Sequence, residues 1–292
     1  GLPHPRRMSI PVRRAAVVGH PVAHSLSPIL HNAAYAELAL DGYGYEAIDV
    51  PDGDLPAFVA QLDETWLGLS VTMPHKHAAL AVADVVHPLA ATIGAVNTLI
   101  VTPSGAKPVL VAANTDVYGA AEAIREARGA NAPTVSSAVV LGAGGTAAAV
   151  LAALAELGAT HPVVCVRSQA RAAGLLQAAH RMGIEVTLRR FDQAQRFVAD
   201  ADVVVQTAVA GAADDLADAL SGMTLRPDQT LLDVIYDPWP TRLAAAWQSA
   251  GGTVVPGWLM LLHQACEQVQ LMTGKPAPVA AMRAALEGAL GR

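Results

Sequence analysis

The stretch 138–171 limits what this chain can fold into more than any other. Ala138-Val-Val-Leu141 runs into Gly142-Ala143-Gly144-Gly145-Thr146, then an alanine-rich segment, then Val163-Val-Cys-Val166-Arg167-Ser168 with Arg171 close behind. This reads as strand, glycine turn, helix and second strand, at ordinary lengths. Backbone N–H groups at the start of such a helix face an anion, and glycines keep Cβ atoms out of its way, so Gly142, Ala143, Gly144, Gly145 and Thr146 are the candidate pyrophosphate contacts. A second strand that serves NAD ends in Asp or Glu, which bonds the ribose 2′-hydroxyl. Between Glu156 and Glu185 the chain has no acid. Arg167, Ser168 and Arg171 stand there instead, and guanidinium groups suit a phosphate ester. The cofactor these residues predict is NADP. A bare Gly-x-Gly-x-x-Ala turn also occurs in proteins that bind no nucleotide, and the arginines could be ordinary solvated side chains.

At 292 residues the chain is long enough for two domains. Hydrophobic residues make up 53% but aromatics only 4%, so the core must be mostly Ala, Val and Leu, as in parallel strands covered by alanine-rich helices. A formal net charge of -6 leaves no basic face for nucleic acid. The apolar run Val135 to Ala159 contains four glycines and Glu156, which fits a phosphate loop and buried helix and not a membrane span. Gly1 to Met8 lacks the apolar segment of a signal peptide and reads as an extension ahead of a natural start at Met8. Two cysteines, Cys165 and Cys266, give neither a disulfide framework nor a zinc site, and a reducing cytoplasm is expected.

Strands and helices alternate from the beginning. Ala15 to Val18, Tyr43 to Val50 and Gly68 to Thr72 read as strands. Pro28 to Ala39, Leu55 to Leu62 and His75 to Ala83 read as helices. Ala95 to Val101 forms one arm of a hairpin turned at Pro103-Ser104-Gly105. A helix over Val117 to Ala127 leads to a linker-like 128–133. The nucleotide unit continues through strands at 186–189, 203–206, 231–235 and 253–255, and helices over 257–273 and 279–290 close the chain. The fold expected is α/β, with two domains.

Lys76 follows Pro74 at a strand-to-helix turn, where an ammonium can reach a cleft at the carboxyl end of the sheet; a solvated surface lysine is the alternative. Ser27-Pro28 reads as an N-cap followed by proline at the first helical position, and a helix start with Ser25 and Ser27 is also a carboxylate site. Gln264 lies on an apolar helix, where a buried amide with satisfied bonds is equally reasonable. His75 and His77 flank Lys76 at no usual zinc spacing and read as solvent-facing or helix-start residues, so no metal is expected.

Six motifs, in order, are similar to those of the shikimate dehydrogenase family. They are Gly19-His-Pro-Val-Ala-His-Ser25-Leu-Ser27-Pro28, Ser70-Val-Thr72-Met-Pro74-His-Lys76, Gly94-Ala-Val-Asn97-Thr98, Asn114-Thr-Asp116-Val-Tyr-Gly119, Asp233-Val-Ile-Tyr236-Asp-Pro238 and Gly257-Trp-Leu-Met260-Leu-Leu-His-Gln264. The resemblance implies NADP-linked interconversion of 3-dehydroshikimate and shikimate on a two-domain fold. A substrate domain would span 9–116, completed by C-terminal helices 259–292, and a Rossmann-type NADP domain 117–258. It implies that Lys76 and Asp116 exchange the proton of the reacting hydroxyl, that Ser25 and Ser27 take the substrate carboxylate with Tyr236 nearby, and that Thr72, Asn97 and Gln264 bond ring hydroxyls. Ser70 falls in the substrate set and Gly257 in the cofactor set. The expected partner is a small molecule, bound by a monomer or homodimer with no role for nucleic acid or membrane.

Three departures stand out. Ser70 replaces the family's usual Asn before Val-Thr-x-Pro, Val166-Arg167-Ser168 replaces Asn-Arg-Thr, and Gln206-Thr207-Ala208 replaces a more usual Asn-led triplet. A quinate or aminoshikimate dehydrogenase on the same scaffold is the alternative within the class. A nucleotide-binding sensor without catalysis is the alternative outside it, and would need the Lys76 and Asp116 pair to be broken.

Overall fold

The structure is a computed structural model that describes residues 12–292; the expectation about Gly1 to Met8 lies outside the described residues. Two compact units divide it. The first holds 12–87, Val96–Ala113 and Gln268–Arg292, and the second holds Pro88–Ala95 and Asn114–Glu267. The division therefore falls at 113/114 and at 267/268, against 116/117 and 258/259 in the sequence reading, and it gives Pro88–Ala95 to the second unit.

In the first unit, the strands are β1 (Arg13–Gly19), β2 (Tyr43–Asp49), β3 (Trp66–Val71), β4 (Val85–Val86), β5 (Thr98–Thr102) and β6 (Val109–Ala113). They form one sheet in the order β2-β1-β3-β5-β6-β4. β1 pairs in parallel with β2 and β3, whereas β5 runs antiparallel to both β3 and β6. The hairpin expected around 103–105 is the β5–β6 pair. Helix α1 (Ser27–Glu37) packs on α12 (Val279–Ala289). Two helices are shorter than their apolar runs imply. α2 is Leu55–Val59 and α3 is only Ala79–Val82, because the residues from Met73 to Ala78 are spent on a turn, closed by the His75 N–H donating to the Thr72 carbonyl at 3.0 Å.

The second unit is all parallel. Strands β7 (Ala138–Leu141), β8 (Val163–Val166), β9 (Thr187–Arg190), β10 (Val203–Gln206), β11 (Thr230–Asp233) and β12 (Thr253–Pro256) lie in the order β12-β11-β10-β7-β8-β9. The order reverses between β7 and β10. In an open α/β sheet the crevice at such a switch point is where ligands bind. Each central strand is buried along its whole length, so its residues are a run of Val, Leu and Ala, with polar Gln206, Thr230 and Asp233 only at strand ends. Helices α4 (Pro88–Ile93), α5 (Asp116–Arg128), α6 (Ala147–Glu156), α7 (Ala173–Met182), α8 (Ala194–Val198), α9 (Asp214–Ala219) and α10 (Arg242–Ser249) belong to this unit. Helix α11 (Gly257–Thr273) spans the 267/268 division.

Among the described residues, no helix is long and apolar enough to cross a membrane, and no His, Cys, Asp and Glu group is arranged to hold a metal. Cys165 and Cys266 are buried and unbridged.

Candidate functional site

The cofactor candidates assemble in the second unit. A cleft of about 560 Å³ at the β7/β10 switch point is lined by Gly142, Ala143 and Gly144 on one side and by Val166, Arg167, Ser168 and Arg171 on another, with Phe191 and the 207–212 loop completing it. Gly142 has φ +96°, and a Cβ there would come within 2.9 Å of Thr207 Oγ1 and 3.0 Å of the Ala208 nitrogen. Only glycine can hold this turn. Around Gly144 and Gly145 nothing lies within 4 Å of where a Cβ would be, so the backbone at the head of α6 faces open space. Thr146 is the residue before that helix and makes no side-chain cap there. Arg167 is anchored: it donates to the Ala212 carbonyl at 2.9 Å, with its guanidinium 5.2 Å from the Phe191 ring centre. No carboxylate lines the cleft. Its glycine cradle and its cationic rim both fit a dinucleotide with a 2′-phosphate.

The sequence marks Gln206 and Thr207 only as a departure from the family's usual triplet and gives Arg190 and Phe191 no role. Gln206, buried at the end of β10, accepts from the Ala208 N–H and donates to the Ala208 carbonyl, both at 3.1 Å. Thr207 donates its hydroxyl to the Leu141 carbonyl at 2.7 Å. Together they fix the loop opposite Gly142, and a long amide closing a buried strand is the signal that marks them. Phe191 and Arg190 line a second cleft, of about 640 Å³, which shares Arg167 with the first; their signal was the basic, aromatic end of β9. Gly257 does not line the cofactor cleft. A Cβ at that position would stand 2.5 Å from the Asp233 carbonyl oxygen and 2.6 Å from that of Val234, so packing against the end of β11 by itself requires a glycine here.

Also in the second unit, Asp116 opens α5, is 8% exposed, and takes its backbone geometry from Asn114, whose Oδ1 accepts the Asp116 N–H at 2.9 Å. Gln264 on α11 is buried and donates to the Leu261 carbonyl at 2.8 Å. Tyr236 lies half-buried past β11, and burial, with Asp237 beside it, raises its hydroxyl pKa.

The first unit holds the other candidates. Lys76 is half-buried in the turn after β3, and its carbonyl accepts the Val96 N–H at 2.8 Å, which ties the turn to the segment carrying Asn97. Thr72, half-buried, donates its backbone N–H to the Val18 carbonyl at 3.0 Å. His75 is a correction. It is 1% exposed, not solvent-facing, with Nε2 2.6 Å from the Val50 carbonyl oxygen. Ser27 is a second correction: it is the first residue of α1 and not its N-cap, which is Leu26, and no side chain caps this helix. Ser25 Oγ instead accepts the Ser27 N–H at 3.2 Å.

Ser27, Ser70 and Asn97 are joined by a buried polar network. Tyr45 donates to Ser70 Oγ at 2.5 Å, and Ser70 donates to Gln268 Oε1 at 2.8 Å. Gln268 Nε2 donates to the Asn97 carbonyl at 3.0 Å and to Thr98 Oγ1 at 2.9 Å, and Thr98 donates to Asn97 Oδ1 at 2.9 Å. His31 stacks on Tyr45 with ring centres 4.2 Å apart and reaches Gln268 Oε1 with Nε2 at 3.1 Å. Burial holds the His31 pKa down at about 4, so the ring is neutral. The Tyr45 hydroxyl, which also hydrogen-bonds Ser27, is pushed far up for the same reason.

Comparison with known proteins gives three family matches along the chain: the shikimate dehydrogenase substrate binding domain over 17–99, shikimate / quinate 5-dehydrogenase over 127–221, and the shikimate 5′-dehydrogenase C-terminal domain over 257–287. A protein of Moorella thermoacetica named shikimate dehydrogenase (NADP(+)) is 39% identical over 281 residues, covering 94% of this chain and 93% of its own. Among solved structures, the Mycobacterium tuberculosis shikimate dehydrogenase is 44% identical with a TM-score of 0.84, over 94% of this chain and 99% of that one. The Thermus thermophilus shikimate 5-dehydrogenase, solved with NADP(H) and shikimate, is 33% identical with a TM-score of 0.79, over 95% and 99%.

Proposed function

This chain belongs to the shikimate dehydrogenase family, and we propose that it is the NADP-dependent oxidoreductase that interconverts 3-dehydroshikimate and shikimate. The observation that carries the cofactor assignment is the cleft in which the Gly142–Gly144 turn and the Arg167, Ser168 and Arg171 side meet with no carboxylate. The chemistry a bound NADP would supply is hydride exchange with the substrate carbon. Gly144, Gly145 and Thr146 would hold its pyrophosphate at the head of α6, and the two arginines would hold its 2′-phosphate.

The remaining roles follow from the motif resemblance and from chemistry. Reduction of the ketone leaves an oxyanion that needs a proton, and oxidation of the alcohol needs that proton removed. Lys76 gives the proton from its ammonium in one direction and takes it back in the other. Asp116 supplies the negative charge that steadies the ammonium. Ser25 and Ser27 receive the substrate carboxylate with Tyr236 beside it, while Thr72, Asn97 and Gln264 bond the ring hydroxyls. Ser70, with its hydroxyl engaged by both Tyr45 and Gln268, acts on the substrate by holding these groups in place. The buried, unbridged cysteines support a reducing compartment such as the cytoplasm.

The test is formation of reduced cofactor, NADPH from NADP⁺ and NADH from NAD⁺, with shikimate, quinate and aminoshikimate in parallel assays. Turnover of shikimate with NADP⁺ at the highest kcat/KM is expected. A higher kcat/KM for quinate or aminoshikimate would move the assignment to that substrate, and no turnover at all would favour a sensor.

A further inference from the structure

Resting on the assignment of Ser27 and Asn97 to the substrate, we propose that Gln268 is a positioning residue for substrate recognition, which decides the edge of the Asn97 amide presented to a ligand and the direction of the Tyr45–Ser70 hydroxyl row. Gln268 is 1% exposed, so it does not touch a ligand itself. A primary amide can accept twice and donate twice. All four capacities are used: Oε1 takes Ser70 and His31, and Nε2 serves the Asn97 carbonyl and Thr98 Oγ1.

The bond directions are forced by the chemistry of the partners. The Asn97 carbonyl can only accept, so the NH2 end of Gln268 must face it, and a flipped amide would set two oxygens against each other. Thr98 Oγ1 accepts from that NH2, which leaves its own proton for Asn97 Oδ1 at 2.9 Å. The oxygen edge of the Asn97 amide is thus committed to Thr98, which fixes the side on which its NH2 donates. On the Oε1 side, Ser70 must donate, and it therefore accepts from Tyr45. His31 must carry its proton on Nε2. Its Nδ1, buried and without a hydrogen-bond partner, is then the unprotonated nitrogen, in keeping with a pKa of about 4. One side chain sets the polarity of the whole network.

The experiment uses the full-length protein with Gln268→Met, which keeps length and loses all four bonds, and Thr98→Val, which removes only the hydroxyl between Gln268 and Asn97. Shikimate Kd and KM, NADP⁺ KM, kcat and Tm are measured for both. Gln268→Met is expected to raise shikimate Kd and KM about tenfold or more, with NADP⁺ KM within about twofold, since a buried polar group loses its orientation. Thr98→Val should move shikimate Kd the same way by about three- to tenfold. A folded Gln268→Met whose Tm falls while shikimate Kd stays within about twofold would make Gln268 merely structural and overturn the proposal. If that variant does not fold, an unchanged shikimate Kd in Thr98→Val overturns it equally. Failure of the functional reading looks different, because then the unaltered protein does not turn over shikimate.

Discussion

The two units bury different matter. One face of the sheet in the second unit is packed with Val139, Leu141, Val204, Leu231 and Trp247, and the few buried polar groups of the unit mostly serve nearby backbone. At the centre of the first unit, Tyr45, Ser70, His31 and Gln268 bond one another beside Val17 and Leu67. Water-free aliphatic packing is non-directional and stabilises a scaffold without specifying an orientation. Buried hydrogen bonds add little net stability but are costly when broken on one side, and each has a direction. The second unit is therefore built to hold a turn in place, and the first to hold side-chain atoms in place.

The largest expected effect tests whether each unit gives one half of the acid–base chemistry. Lys76→Ala, in the first unit, should lower kcat by about 10² to 10⁴, and Asp116→Asn, in the second, by a similar factor, with shikimate Kd changing less. Activity within a few-fold of normal in either variant removes that residue from the reaction.

Next come substitutions that set the two kinds of core against each other. Leu231→Ala in the dry sheet should cost about 2–5 kcal/mol in chemical denaturation with shikimate KM unchanged in whatever stays folded. Tyr45→Phe should cost only about 1 kcal/mol yet raise shikimate KM. The contrast fails if Tyr45→Phe is the more destabilising or Leu231→Ala the more damaging to recognition.

Acid should sharpen the same contrast, because each unit carries a displaced titration of opposite sign. His31 falls from 6.5 to about 4 through burial, so its neutral form stabilises the fold above pH 6.5, and that contribution, about 3 kcal/mol, is lost as pH drops towards 4. Glu267 is raised from 4.5 to about 7, through burial first and then Glu156, so its contribution is present below pH 4.5 and lost as pH rises towards 7. Thermal midpoints across this range, compared with His31→Phe and Glu267→Gln, should show the wild-type advantage shrinking in acid for the first pair and growing for the second. Flat differences in both would mean that neither group titrates as described.

Cofactor choice should respond to the second unit alone. Arg167→Ala with Arg171→Ala is expected to raise NADP⁺ KM about ten- to hundredfold and NAD⁺ KM far less, as the loss of charge-assisted bonds to one phosphate requires. Equal changes for both cofactors would place the arginines elsewhere. Smallest is the margin for shikimate over quinate, about tenfold in kcat/KM, from crowding or incomplete bonding of the extra quinate hydroxyl near Ser27; parity between the substrates would contradict it.

Much of the second unit was legible because its signals are local. Gly142, the strand 203–206 and the helix 257–273 each announce themselves within a few residues, by turn chemistry or by an apolar run of the right length. The short helices α4, α8 and α9 were not read, since five or six residues are too few to show a helical period. In the first unit the helix expected over His75 to Ala83 contracted to Ala79–Val82 once the preceding residues were taken by the turn that holds Lys76. Ser27 looked like a cap and is helical. Gln268 gave no local signal, because it lies on an apolar helix and finds Ser70 and Thr98 at separations of 198 and 170 residues.

A network with one polarity also constrains how this chain can change over generations. Replacing Ser70, Gln268 or Thr98 alone strands a buried donor or acceptor on its neighbour, so single steps are penalised while matched pairs can restore every bond. Substitution at these positions should be epistatic: the cost of altering Ser70 depends on what stands at Gln268, and a double variant should fall well short of the sum of its parts. New ring-hydroxyl preferences would then be reached through paired exchanges, along paths that leave the dry core of the nucleotide unit untouched.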